Sequence, residues 1–147
     1  MCIIYDLALG KRRKVLTSTD CESDSFTAVS FAKSTEKLTQ YLVTLTGAPD
    51  YRVIVWIWEK QRCVAQYKFE SFTGSSMEKV IPSQASFHPT DPTTLLVTGK
   101  NVYKFFKVTE TAVRIMHNDL IKKSKCAAST HYTCHLWMEK RIIICTV

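Results

Sequence analysis

Four residues that could ligate a metal, Cys126, His131, Cys134 and His135, fall within ten positions of one another. A tetrahedral zinc site is built from such side chains, but four residues separate Cys126 from His131 and two separate His131 from Cys134. That is not Cys2His2 spacing. On a strand, the adjacent Cys134 and His135 point to opposite faces and could not easily share one ion. Nucleophilic catalysis has no motif: the sequence lacks Gly-x-Ser-x-Gly and a P-loop, and Gly74-Ser-Ser76 is too short to cradle phosphate. Carboxylates are scattered, mainly in Asp20–Asp24, and form no acid/base pair. The expectation is a non-enzyme with no catalytic residue, no metal and no cofactor.

Charge offers a better lead. The net charge of +7 is concentrated in Lys11-Arg12-Arg13-Lys14 and in Lys122-Lys123-Ser-Lys125. Both read as solvated loops joining strands, and both could dock an anionic polymer such as nucleic acid or an acidic tubulin tail. Six cysteines stand at irregular gaps with no CxxC, and three of them (Cys2, Cys63, Cys145) lie in apolar runs. Free, reduced thiols in a cytosolic chain are expected. No apolar run approaches the ~20 residues of a membrane span, and a basic n-region followed by a long apolar segment is missing at the N-terminus. No membrane partner is expected.

The elements that would position these residues are strands. Arg52–Glu59 sets Val53, Val55 and Ile57 on one face against Ile54, Trp56 and Trp58 on the other. Apolar residues on both faces predict a strand covered on both sides. Trp56 and Trp58 are therefore expected in the core rather than as base-stacking platforms. Further alternating runs occur at Cys2–Leu7, Phe26–Phe31, Tyr41–Thr46, Cys63–Phe69, Ile81–Phe87, Leu95–Thr98, Val102–Val108, Val113–His117, Thr133–Met138 and Ile142–Val147. A short partner strand is read at Lys14–Thr17. Gly47-Ala-Pro-Asp50 and His88-Pro89 mark turns, the second expected to be capped by His88.

The pattern repeats. Phe31, Phe87 and Trp137 end equivalent strands 56 and 50 residues apart; Tyr5, Trp58 and Phe106 hold a second equivalent place, 53 and 48 residues apart. Four-stranded units at this period indicate propeller blades. The chain is expected to be all-β: a half blade over 2–18, blades over 26–69 and 81–119, and a half blade over 133–147. Tyr5, Phe31, Trp56, Trp58, Phe87, Phe106 and Trp137 are the expected blade-core aromatics.

Val29-Ser-Phe31, Ser86-Phe-His-Pro89, Leu42-Val-Thr44 and Leu96-Val-Thr98 resemble strand endings of the WD-repeat family. Tyr5-Asp6, Trp58-Glu59 and Phe106-Lys107 stand where that family carries its Trp-Asp pair. Ile4-Tyr-Asp-Leu7, Val55-Trp-Ile-Trp-Glu-Lys-Gln61, His135-Leu-Trp137 and Lys140-Arg-Ile-Ile-Ile144 follow one another as in WD-repeat proteins of cilia and flagella. The resemblance implies a non-catalytic scaffold in the cytoskeleton of the ciliary axoneme, with inner dynein arm components or tubulin as partners. The basic loops would contribute Lys11, Arg12, Arg13, Lys14, Lys122, Lys123 and Lys125 to binding. A nucleic-acid-binding module and a truncated product without independent function are the alternative readings. About three blade equivalents fall short of the four to eight of closed propellers, so open sheet edges are expected to favour self-association.

Overall fold

Among the described residues, segments that alternate apolar and polar side chains, punctuated by Gly, Pro and Asp, fold as twelve strands in four antiparallel sheets. They are seen in a computed structural model that describes residues 1–18, 20–23, 25–33, 41–70, 79–116, 131–138 and 141–147. A two-stranded sheet comes first, β1 (Cys2–Asp6) with β2 (Lys11–Leu16). A four-stranded sheet follows, with β3 (Phe26–Phe31), β4 (Tyr41–Thr46), β5 (Arg52–Ile57) and β6 (Arg62–Lys68). The next contains β7 (Ile81–Phe87), β8 (Thr94–Lys100), β9 (Val102–Val108) and β10 (Val113–Met116). The last pairs β11 (Tyr132–Met138) with β12 (Arg141–Thr146). Within each sheet the strands neighbour one another in chain order. The architecture is all-β, with four-stranded meanders consistent with partial propeller blades.

Strands β4, β5 and β8 are buried along nearly their whole length, because each is a middle strand with a sheet against either face. Val43, Leu45, Val53 and Val55 turn toward the third sheet and pack with Ala85, Phe87, Leu95, Val97 and Phe106. The opposite face of the same strands presents Leu42, Ile54 and Trp56 to Leu16 of β2, with Cys2 and Ile4 at the margin. A fully buried aliphatic side chain contributes about 1.5–3 kcal/mol, so these two seams hold the stack together. The indole N–H of Trp56 cannot be left dry. It donates to Thr44 Oγ1 at 2.9 Å.

Register fixes which residues correspond. In β3/β4, β7/β8 and β11/β12 the pairing shifts at the same point, between Phe26 and Ala28, Pro82 and Gln84, and Tyr132 and Cys134. Past that bulge, Phe31 lies opposite Leu42, Phe87 opposite Leu95 and Trp137 opposite Ile142. These three aromatics therefore occupy one structural position. The second set is corrected by two residues. Strand β5 stops at Ile57, and Trp58–Lys60 forms a 3-10 turn. Both β1/β2 and β5/β6 shift register, between Ile4 and Tyr5 and between Val55 and Trp56. Leu42 pairs with Trp56 as Leu95 pairs with Phe106. The equivalent residues are Tyr5, Trp56 and Phe106, not Trp58.

Candidate functional site

The basic segment Lys11–Lys14 lies in strand β2, not in a loop as its charge suggested. Hydrogen bonding to β1 sets Lys11 opposite Asp6 and Arg12 opposite Tyr5. A strand alternates its side chains, so the four cations divide between two faces of an edge strand instead of clustering at a loop tip. Lys11, Arg12 and Arg13 are exposed, and Lys14 is half-buried. Arg13 reaches Asp6 at 3.8 Å, a surface pair that adds little stability. Lys122, Lys123 and Lys125 lie outside the described residues, as does Cys126.

Beside this ridge runs an open groove of about 490 Å³, lined by Tyr5, Asp6, Arg13, Phe31, Lys33 and Trp58 among others. Phe31 and Trp58 meet edge-on across it, with ring centroids 6.0 Å apart. Its lining combines three aromatic rings with two cations and a carboxylate. Two of the expected blade-core aromatics are thus exposed, Tyr5 and Phe31. The β1/β2 sheet packs through Leu16 on Leu42, Ile54 and Trp56, with Phe26 at the margin, and leaves Phe31 open. Trp56, Phe87 and Phe106 are buried, Trp58 and Trp137 half-buried.

A polar cluster unforeseen in the sequence sits where β11 packs on β7 and β8. The ring of His135 is buried between two hydroxyls, with Nε2 2.6 Å from Ser86 Oγ and Nδ1 2.7 Å from Thr98 Oγ1. A neutral imidazole can donate to one and accept from the other. The backbone of His135 is clamped as well: its N–H donates to Gln84 Oε1 at 2.8 Å, and its carbonyl accepts from Gln84 Nε2 at 2.9 Å. Trp137 Nε1 completes the cluster by donating to Ser86 Oγ at 2.8 Å.

A serine beside a histidine invites a catalytic reading. Burial, however, pushes the His135 pKa down to about 4, and the far ring nitrogen faces a hydroxyl instead of the carboxylate that would stabilise an imidazolium. The arrangement acts as a clamp between sheets. Cys134, next in sequence, points the other way and is exposed, and His131 forms an isolated bridge with Lys100. Among the described residues, no three His, Cys, Asp or Glu side chains are grouped to hold a metal ion. His88 does cap its turn, with Nδ1 accepting from the N–H groups of Thr90 at 3.3 Å and Asp91 at 3.2 Å.

A second buried group, Asp50, organises the turn between β4 and β5. It accepts from Arg52 Nε at 2.7 Å, from Cys21 Sγ at 3.3 Å and from the Ser23 N–H at 3.2 Å. Burial alone would raise its pKa. The hydrogen bonds from Arg52 and Cys21, with the charge on Arg52, outweigh burial and hold the carboxyl below its ordinary value. Among the described residues, the surface offers a strand bearing four cations and a groove with an aromatic lining.

No protein-family model matches the chain. It is 29% identical over 146 residues to cilia- and flagella-associated protein 57 of Mus musculus, an alignment covering 97% of this chain and 10% of that protein. It is 27% identical over 96 residues to cilia- and flagella-associated protein 57 A of Tetrahymena thermophila, covering 65% of this chain and 7% of that one. The chain thus spans a tenth or less of the length of the curated relatives it matches. Along nearly its full extent, it is homologous to a segment of cilia- and flagella-associated protein 57.

Proposed function

We propose that this chain is a non-catalytic, cilium-associated scaffold segment, its sheets arranged as two whole and two half WD-type blades that present loops and edges to protein partners. The observation that carries this reading is the homology over 97% of the chain to a protein named for cilia and flagella. Axonemal complexes are its partners, with the inner dynein arm apparatus and tubulin foremost. The exposed cations Lys11, Arg12 and Arg13 add salt-sensitive attraction to acidic tubulin tails, small per contact and useful chiefly for encounter and orientation.

The test is to express the chain with a fluorescent tag in ciliated cells and, separately, to measure retention of the purified chain on microtubules and on RNA across a salt series. Axonemal fluorescence with selective microtubule retention is expected. Diffuse cytoplasmic signal, or stronger retention on RNA, would refute the reading.

A further inference from the structure

We propose that an extended acidic polypeptide docks on the outer strands of successive sheets, along a file of three cations, Lys11, Arg62 and Arg114. The inference deepens the reading of the chain as a protein-binding segment and rests on it for the class of partner. Its starting point is register. Lys11 lies opposite Asp6, Arg62 opposite Ile57 and Arg114 opposite Lys107. Those three partners each follow one of the equivalent residues Tyr5, Trp56 and Phe106. Lys11, Arg62 and Arg114 therefore hold one structural position, repeated once per sheet on β2, β6 and β10.

All three side chains are exposed. Arg62 decides what that exposure means, because its sheet packs on the first sheet through one face and on the third through the other. The position is open even where both neighbours are in place. Other cations of these sheets are paired: Arg13 with Asp6, Arg52 and Lys68 with Asp50, and Lys107 with Asp91, all within 4.0 Å. Among the described residues, no carboxylate comes that close to Lys11, Arg62 or Arg114. Their charge is left facing solvent.

Strands β2, β6 and β10 together carry seven cations and no carboxylate, a band of one sign that attracts and orients a polyanion. Asp6 borders the band but is taken up by Arg13 and the Leu9 N–H. Asp20 lies toward Cys63, whose pKa is raised by burial and then by the charge of Asp20. Two carboxylates do not balance seven cations. A polypeptide suits the band better than a nucleic acid. Single strands are held by stacking bases on exposed rings. The one aromatic of these three strands, Tyr67, is turned against Phe69 and Phe106, with ring centroids 5.1 Å away in each case. Carboxylates spaced along an extended chain need only the row of cations.

The test is fluorescence anisotropy of labelled poly-glutamate titrated at low salt with the 147-residue chain. Arg62→Glu with Arg114→Glu should weaken binding about tenfold. Lys79→Glu with Lys100→Glu makes the same change in net charge at the far end of the third sheet, where Lys100 faces Ile81, and should weaken it less than about twofold. Arg62→Lys with Arg114→Lys keeps the charges and should bind as the unaltered chain does. If circular dichroism shows the Arg62 and Arg114 glutamate variant unfolded, Arg62→Gln with Arg114→Gln takes its place, with a loss of about threefold expected. Equal losses in the two glutamate variants, unchanged affinity when Arg62 and Arg114 are replaced, or tighter binding of single-stranded RNA than of poly-glutamate would each overturn the proposal. The probe is a bare peptide, so failure here is distinct from failure of the tagged chain to reach axonemes, which bears on the ciliary reading alone.

Discussion

His135 Nε2 lies 2.6 Å from Ser86 Oγ, 49 residues away in sequence, and this contact pins the last sheet to the third. Because burial depresses the His135 pKa to about 4, the unfolded chain takes up a proton at higher pH than the folded one. Stability should therefore be full above the ordinary histidine pKa of about 6.5 and fall by up to about 3 kcal/mol as pH drops from there to about 4. Denaturant midpoints at about pH 7.5, 6 and 5, across the histidine range, should decrease in that order. His135→Gln should flatten the trend.

Removing the partner of a buried indole should be costly. Thr44→Val keeps the shape of the side chain but leaves Trp56 Nε1 without its acceptor. A loss of about 1–3 kcal/mol is expected. Thr44→Ser should retain most of the stability, and equilibrium unfolding in urea followed by tryptophan fluorescence would separate the two outcomes.

Asp50 should be more sensitive still. Asp50→Ala removes the carboxylate partner of Arg52, whose Nη1 keeps its bond to Gln66, and deprives Cys21 and the Ser23 N–H of an acceptor, at a cost of about 3 kcal/mol. The native carboxyl is held below its ordinary pKa. Its contribution is therefore present above about pH 4 and lost as pH falls through its folded value. Acid unfolding followed by circular dichroism should begin at higher pH in the variant.

The cations on β2 should matter for binding and hardly at all for folding. Lys11→Gln with Arg12→Gln leaves the Arg13–Asp6 pair intact and should change stability by no more than about 0.5 kcal/mol. Microtubule co-sedimentation at low salt should weaken, and its salt dependence should become shallower. Unchanged retention would show that these side chains do not face the filament.

Much of the fold was legible because strand physics is local. Alternation at Arg52–Ile57 and the turn at Gly47–Asp50 place β4 and β5 without further information, and Phe31, Phe87 and Trp137 mark the period correctly. Equivalences that cross a bulge were less accessible: Tyr5 corresponds to Trp56 because both hairpins shift register at the same point, and the sequence does not mark such a shift. Lys11–Lys14 read as a loop because four cations are poor strand formers in isolation, yet pairing with Cys2–Asp6 overrides that preference. The His135 cluster had no local signature. It depends on which face each strand turns toward its neighbour, and that is decided by the bulge between Tyr132 and Cys134.

Burial concentrated in β4, β5 and β8 has a consequence for how the molecule comes apart. In a linear stack, each sheet is steadied by the sheets flanking it. Fraying should therefore begin in the least buried strands, β1 and β12, and reach the buried middle strands last. Amide deuterium uptake would record this as a gradient, fastest in Cys2–Asp6 and Arg141–Thr146 and slowest in Leu42–Leu45, Val53–Trp56 and Leu95–Val97.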